Sequence, residues 1–424
     1  MRLTVLCPHF APDVSPTGEV MTRIAHELVE RGHVLHIVTA LPWYQEHALE
    51  PGWDGQLVRH ERTEWGRITR VHPFPTDKTN IPARAVAFGA FTAEAAVFAA
   101  ATRQRPDVVM AMSPPLTLGA AGWAAARVRR APMVFNIQDV FPDAAVETGT
   151  LTSAKAIAAA ARLERWSYQL ADAVTVLSDD LRDNVAAKLA GRRRGGPDKI
   201  RVIPNFVDTK LITPGAVDGA YRRELGLLGK TVVLYAGNVG LSQSFGLLVE
   251  AARRNLERRP DVAFLVNGGG SGLVRLREAA AGLPNVHFGE FQPPERLADV
   301  LATGDVHLVP LKRGLAKASV PSKLYSILAA GRPVLAAVDE GTEVARTVDA
   351  AGAGVTVPPD DPEAFCAGLD RLLDDLPAAA EMGRRGRRFV EGWASPAAVA
   401  ERYEELFEEL RRGDPAFRVR GGSH

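Results

Sequence analysis

Ser319-Val-Pro-Ser-Lys-Leu-Tyr-Ser-Ile-Leu-Ala-Ala-Gly-Arg-Pro-Val334 reads as a loop, a helix and the opening of a strand. Pro321 stops whatever precedes it, and Ser322 is a good helix N-cap. A short apolar helix follows, Gly331 ends it, and Pro333 with Val334 starts a strand. Lys323 therefore falls in the first turn of a helix. Free N–H groups and the helix dipole already attract anions there, so a lysine is mildly unfavourable unless phosphate fills the site. The plain alternative is a solvated lysine on an ordinary helix start.

Outward from this stretch, strand-like runs alternate with amphipathic helical runs along the whole chain, the pattern of parallel α/β sheets. In the first half the expected strands are Leu3–Leu6, Leu35–Thr39, Ile68–Val71, Val108–Ala111, Met133–Asn136, Ala173–Val176 and Arg201–Ile203. Helices are expected over Thr17–Arg31, Ala83–Arg103, Leu116–Arg129, Ser153–Ala171 and Asp179–Leu189, with Arg192–Pro197 as a polar breaker. A second series begins afresh with strands Thr231–Tyr235, Val262–Val266, Val286–Phe288, Val306–Val309, Pro333–Ala336 and Gly354–Val357. Two Rossmann-like domains follow, 1–207 and 208–393, with ligands expected between the carboxyl ends of their sheets. A charged helix rich in Glu and Arg, Pro396–Arg411, is expected in the last segment, 394–413. No repeat or low-complexity tract is evident.

Composition excludes several classes. The 424 residues exceed one ordinary core. A net charge of +1 argues against a nucleic-acid binder driven by bulk electrostatics. Cys7 and Cys366 form no CxxC, so neither a disulfide framework nor a zinc site is expected. Met1-Arg-Leu-Thr-Val-Leu6 runs into a strand without a signal-peptide pattern, so a cytoplasmic protein is expected. From Ala85 to Thr102 only Glu94 is charged, yet the run is mostly alanine, and Phe88, Phe91, Ala95 and Phe98 recur at helical spacing. It reads as a core or acceptor-side helix. With Arg103, Arg105, Arg127, Arg129 and Arg130 near it in sequence, it is also a candidate for peripheral contact with an anionic membrane.

Pro321-Ser-Lys-x-Tyr-x-x-x-Ala-Ala-Gly-x-Pro-Val334 resembles the donor-site helix of family 4 glycosyltransferases. The similarity is to the bacterial branch that builds surface polysaccharides on lipid carriers, including colanic-acid and fucosamine transferases. It extends from Pro8 to about Trp393, with several motifs in the family's order. The resemblance implies the GT-B fold: two Rossmann-like domains facing a cleft, with the final helix crossing back to the first. It also implies a nucleotide-sugar donor, with UDP expected, retention at the anomeric carbon and no metal or other cofactor.

Residue by residue, Tyr235-Ala-Gly-Asn-Val-Gly-Leu-Ser-Gln-Ser244 closes a strand and is expected to open a helix near Ser242. The family usually carries an arginine and a lysine in this loop to hold the diphosphate. Asn238 and Gln243 stand there instead, which leaves Lys323 to supply the charge. The family's two glutamates, eight apart, correspond to Ala318 and Ser326. By the resemblance Gly237, Asn238, Gln243, Gly268, Ser322, Lys323 and Leu324 line the donor site, with Phe291 at the base and Ser326 at the ribose. Pro12-Asp-Val-Ser-Pro-Thr-Gly18 is a turn-rich loop whose Gly18 backbone could meet the donor phosphates. Asn136-Ile-Gln-Asp-Val-Phe-Pro-Asp143 resembles the branch's Gln-Asp-x-x-Pro motif, with Gln138 where many members have histidine. Asp139 ends a strand at the cleft as a candidate catalytic or acceptor-orienting group, and Asp143 is a further acceptor-side candidate. Either could merely cap the next helix.

Other matches fail on spacing. Gly268-Gly-Gly-Ser-Gly272 lacks dinucleotide-fingerprint spacing, and Leu273 replaces the second glycine of a hydrolase elbow. Gly229-Lys-Thr231 is no P-loop because Glu224 stands at the earlier glycine, and His26-Glu27 is no zincin because Glu30 stands at the second histidine. No Asp-x-Asp metal signature is found. The function expected is transfer of a sugar from a nucleotide diphosphate to a hydroxyl acceptor, with a lipid-linked sugar as the branch expectation and Lys323 stabilising the leaving group. A nucleotide-sugar 2-epimerase, a non-catalytic nucleotide-sugar binder and a transferase acting on a soluble natural product remain open.

Overall fold

The structure is a computed structural model that describes residues 1–13, 15–44, 48–75, 81–102, 104–143, 153–190, 196–240, 242–314 and 322–413. The readings on Arg103, Arg192–Arg194, Ala318 and Ser319–Pro321 fall outside those residues. The chain forms two compact units: Met1–Asn205 together with the C-terminal residues from Val399, and Phe206–Ala398.

The first unit holds β1 (Arg2–Leu6), β2 (Val34–Ala40), β3 (Val58–Thr63), β4 (Gly66–Val71), β5 (Val108–Ser113), β6 (Met133–Ile137), β7 (Ala173–Val176) and β8 (Ile200–Val202). Its helices include α1 (Pro16–Glu30), α2 (Ile81–Ala100), α3 (Leu118–Arg129), α4 (Ala154–Leu170) and α5 (Asp179–Leu189). The strands lie in the order β3-β4-β2-β1-β5-β6-β7-β8, parallel except for β3, which pairs antiparallel with β4. Central strands are buried on both faces, which is why they read as unbroken apolar runs: all six residues of Val108–Ser113 are buried. The sequence reading missed β3. Its residues, Val-Arg-His-Glu-Arg-Thr, lie on an open edge and show little alternation of apolar and polar side chains.

Helix α2 ends at Ala100 and buries Ala87, Phe91, Ala95 and Ala99, whereas Phe88 and Phe98 are half-buried. The packed face is thus turned about one residue from the aromatic stripe, because small alanines let the helix lie close on the sheet. Val86 and Val97 point outward, 73% and 62% exposed. Among the described residues, no helix is long and apolar enough to cross a membrane.

The second unit is a parallel sheet of β9 (Thr231–Ala236), β10 (Val262–Asn267), β11 (Val286–Gly289), β12 (Val306–Pro310), β13 (Val334–Ala337) and β14 (Gly354–Val357), in the order β11-β10-β9-β12-β13-β14. Around it lie α6 (Ala220–Glu224), α7 (Phe245–Arg258), α8 (Leu273–Ala279), α9 (Leu297–Ala302), α10 (Ser322–Ala329), α11 (Glu343–Ala351), α12 (Pro362–Asp374) and α13 (Leu376–Trp393). In α10 Ser322 is the first helical residue, and Gly331 at φ +68° receives the left-handed turn that closes the helix. The helix expected near Ser242 starts at Phe245 instead. Residues 242–244 are occupied in strand-like pairing: Ser244 N–H donates to Pro310, Lys312 N–H donates to Ser242, and Gln243 bridges Leu311.

The last helix, α14 (Pro396–Arg412), runs from the second unit into the first. Its Tyr403 is buried against β6 and β7, where Asn136 Nδ2 donates to the phenol oxygen at 2.8 Å and to Thr175 Oγ1 at 3.0 Å. Ion pairs Arg31–Glu404 at 3.1 Å and Arg201–Glu409 at 3.5 Å flank it. Deleting the hydroxyl leaves a buried amide N–H with one partner fewer. Tyr403→Phe is therefore expected to cost about 1–2 kcal/mol by urea denaturation; an unchanged midpoint would show that this bond contributes nothing net.

Candidate functional site

In the second unit, the turn after β9 and the start of α10 meet through Tyr235. Lys323 Nζ donates to Tyr235 Oη at 2.6 Å and lies 4.0 Å from the centre of its ring. The same hydroxyl donates to the carbonyl of Asn238 at 2.6 Å, and Phe245 packs edge-on against the ring at 4.8 Å. Tyr235 thus ties the lysine to the Gly237–Asn238 turn. Burial pushes the Tyr235 phenol up, keeping it neutral and able to donate. Burial also pushes the Lys323 ammonium down to about 8. Among the described residues no carboxylate pairs with Lys323, so this cation has a tyrosine and an aromatic face but no counter-charge.

Two glycines shape the backbone at this place. Gly237 has φ +132°, and a side chain there would begin 3.5 Å from Lys323 Nζ. Gly268, at φ +147°, passes so close to the Gly237 carbonyl that a Cβ would sit 2.0 Å from its oxygen. Glycine is required at Gly268 both by φ and by this contact. The Val239 N–H donates to the Gly269 carbonyl, joining the two glycine turns.

The remaining donor-side candidates are placed unevenly. Asn238 is exposed, and its side-chain oxygen lies over Gly270. Gln243 is turned to its own loop, accepting from Gly240 N–H at 2.9 Å and donating to Ser242 Oγ at 2.9 Å. Ser322 belongs to the first turn of α10, and half-buried Ser326 lies one turn beyond Lys323. Leu324 is a correction: its side chain is fully buried in the core between α10 and the sheet and offers a ligand no contact. Phe291 is 61% exposed, with its ring beside Gly269.

In the first unit, Asp139 follows β6 and has no side-chain hydrogen bond among the described residues. Its side chain meets solvent, yet enough protein surrounds it to raise its carboxyl above the usual range. Gln138 is buried in an amide chain, donating to Asn136 Oδ1 and accepting from Asn205 Nδ2, each at 2.8 Å. Asp143 is held in an ion-pair network. It accepts from Asn184 and from Lys188, both at 2.9 Å, and Lys188 also pairs with buried Glu164 at 2.6 Å. This network braces α4 and α5, which is a structural duty.

Gly18 lies in the first turn of α1, where its N–H donates to the Ser15 cap at 3.0 Å. A Cβ at Gly18 would stand 2.6 Å from Ser15 Oγ and 2.8 Å from His9 Cβ. Its N–H is already used by the cap, so it is not free for phosphate as the sequence reading supposed. His9 and Asp13 in this loop were not singled out from sequence. The signal was there, a histidine and an aspartate four apart after a central strand, but that spacing usually marks nothing. Tyr235 was likewise quoted only as a strand end.

Two Rossmann-like sheets, with a lysine and two glycine turns over the carboxyl edge of the second, are the architecture of the GT-B fold. A family model described as a glycosyl transferase 4-like domain matches residues 17–205, and one described as glycosyl transferases group 1 matches residues 230–375. The chain is 28% identical to a putative colanic acid biosynthesis glycosyl transferase, WcaI, of Escherichia coli, over 88% of this chain and 92% of that protein. It is 29% identical to a D-inositol 3-phosphate glycosyltransferase of Nocardia farcinica, over 93% and 87%. In fold it is similar to the Anabaena protein HepE crystallised with UDP, at a TM-score of 0.66 and 14% identity, over 96% and 100%. The chain belongs to the family 4 glycosyltransferases.

Proposed function

We propose that this glycosyltransferase takes its sugar from a UDP-linked donor held by the second unit, without a metal ion, and transfers it with retention. The observation that carries this reading is Lys323. A largely buried cation with no carboxylate partner among the described residues, beside a glycine turn at the carboxyl edge of a parallel sheet, is an arrangement that an anionic leaving group completes. The diphosphate would lie over Gly237 against Lys323, the base near Phe291 and the ribose near Ser326.

In the reaction the bond from the anomeric carbon to the leaving phosphate oxygen breaks. A new bond forms from the acceptor oxygen on the same face, and the acceptor proton passes to the departing phosphate. The chain's own work is to neutralise charge that grows on that phosphate and to hold the acceptor, with Asp139 as the candidate orienting carboxylate.

We infer that the group transferred is a hexosyl or N-acetylhexosaminyl unit and that the acceptor is a hydroxyl of a lipid-linked sugar, in surface-glycan or glycolipid assembly at the cytoplasmic face of the membrane. Similarity to the colanic-acid enzyme supports this. So do the outward valines of α2, Val86 and Val97, and the exposed Arg105, Arg127 and Arg130, which suit peripheral contact with anionic lipid. Transfer to a soluble polyol phosphate is the second reading, favoured by the similarity to the inositol phosphate enzyme.

UDP at a hundredfold excess over its dissociation constant is expected to stabilise the protein by about 2.7 kcal/mol, with EDTA present or absent. Thermal unfolding measures this. Loss of the shift in EDTA would overturn metal independence, and no shift in either buffer would overturn the UDP assignment.

A further inference from the structure

The chain runs from β1 to β2 on one side of the eight-stranded sheet and returns across it to β5 on the other. The sheet's switch point therefore lies between β1 and β5. Loops leaving two such strands diverge, and the crevice they open at the carboxyl ends is where ligands of these sheets bind. His9 stands there, three residues beyond β1. Its Nδ1 is 2.6 Å from Asp13 Oδ2, a carboxylate whose side chain is wholly closed to solvent. The other Asp13 oxygen accepts the amides of Trp43 and Tyr44 at 3.4 and 3.1 Å. Arg70, itself buried, donates to the Phe10 and Ala11 carbonyls at 3.3 and 2.5 Å and so pins the loop that carries the pair.

An ionised carboxylate can only accept, so a proton resides on Nδ1, and in the neutral imidazole Nε2 is left as an acceptor in a fixed orientation. Among the described residues nothing hydrogen-bonds to Nε2. Two aromatic rings adjoin the imidazole: Trp43, with ring centres 5.8 Å apart, and Tyr44, edge-on at 5.0 Å and 39% exposed. A pyranose presents an apolar C–H face and a rim of hydroxyls. Aromatic surface beside one oriented hydrogen-bond acceptor is complementary to that pair of features.

We propose that His9, Trp43 and Tyr44 form a saccharide subsite on the first unit, in which a sugar ring of the acceptor packs on the aromatic side chains and one hydroxyl donates to His9 Nε2. Asp13 acts through His9 as a positioning residue. The proposal rests on the transferase reading and narrows its acceptor to a cyclic sugar rather than an open-chain polyol.

The test uses the full chain saturated with UDP, so that the donor place is filled, and saturation-transfer NMR titrations. The probes are methyl α-D-glucopyranoside, methyl α-D-mannopyranoside and methyl N-acetyl-α-D-glucosaminide, with glycerol as the open-chain control. At least one glycoside is expected to bind through its ring C–H protons where glycerol does not. His9→Ala is expected to weaken that binding about tenfold, and His9→Gln, which can still accept a hydrogen bond, to restore part of it. Tyr44→Ala is expected to weaken it about fivefold while Tyr44→Phe keeps it within about twofold. Asp13→Asn, which disturbs the tautomer, is expected to fall between wild type and His9→Ala. The thermal shift given by UDP is expected to stay the same in every variant.

Binding of no glycoside, equal binding of glycerol, or unchanged binding in His9→Ala and Tyr44→Ala would each overturn the subsite. A glycoside loss that tracks a loss of the UDP shift would also overturn it, since the variants would then only be unfolding. If wild type shows no UDP shift at all, the UDP assignment fails instead. The same titrations without UDP then judge the subsite by itself.

Discussion

Lys323→Ala is expected to lower turnover with a UDP-sugar about a hundred- to a thousandfold, with the fold intact. The lysine meets the charge that grows on the departing phosphate, so its contribution is larger in the transition state than in the bound donor. Turnover should therefore fall further than donor affinity does. The site holds no second cation of the family's usual loop, because Asn238 and Gln243 occupy those places and Gln243 is bonded to its own turn. Asn238→Arg in the Lys323→Ala background is expected to recover part of the loss, since Asn238 is exposed beside the Gly237 turn. Lys323→Met removes a cation that burial already disfavours, so the unliganded variant should unfold no earlier than wild type while showing a smaller UDP shift.

The same residue predicts a pH dependence. In the free protein Lys323 loses its proton at about 8, so above that pH the resident charge fades before UDP arrives. Bound diphosphate favours the protonated form, and binding must then take up a proton. UDP affinity is expected to fall progressively above about pH 8 in wild type and to stay flat across the same range in Lys323→Met. If the alanine variant transfers sugar at the wild-type rate and binds UDP unchanged, Lys323 is only a helix lysine resting on Tyr235.

Gly268→Ala is the second large effect expected, and it acts through the backbone. The added Cβ would meet the Gly237 carbonyl at 2.0 Å, and alanine at φ +147° is strained even without that contact. Neither partner can yield as a flexible side chain would, since both belong to turns joined by the Val239–Gly269 hydrogen bond. A loss of about 3 kcal/mol or more in stability is expected, together with loss of UDP binding. Gly246→Ala is the control, because a Cβ there meets nothing within 4 Å in helix α7. Equal behaviour of the two variants in denaturation and UDP titration would show that the Gly268 approach is not a constraint.

Much of the architecture was legible in the chain because parallel strands buried on both faces must be apolar throughout. The runs Val108–Ser113 and Val262–Asn267 could be read in that way, and their helices by amphipathic spacing. The Lys323 position was legible for a related reason, since proline, a capping residue and a terminal glycine punctuate a helix locally. Strand β3 was not, because an edge strand need not be apolar. The start of α7 was not either: a local pattern near Ser242 yielded to pairing with the end of β12, some seventy residues away.

By itself the sequence determined two α/β halves, the family, and a lysine in the first turn of a helix, all of which rest on local patterning and motif order. Only the tertiary structure decided that Tyr235 holds Lys323 with no counter-charge among the described residues, that Leu324 faces the core, and that Asp143 serves an ion-pair network. The His9–Asp13 pair with Trp43 and Tyr44 belongs to the same group, since their meeting depends on how strand order folds distant loops onto one sheet edge. Chemistry that depends on which groups desolvate and orient one another is a property of packing, and spacing along the chain does not carry it.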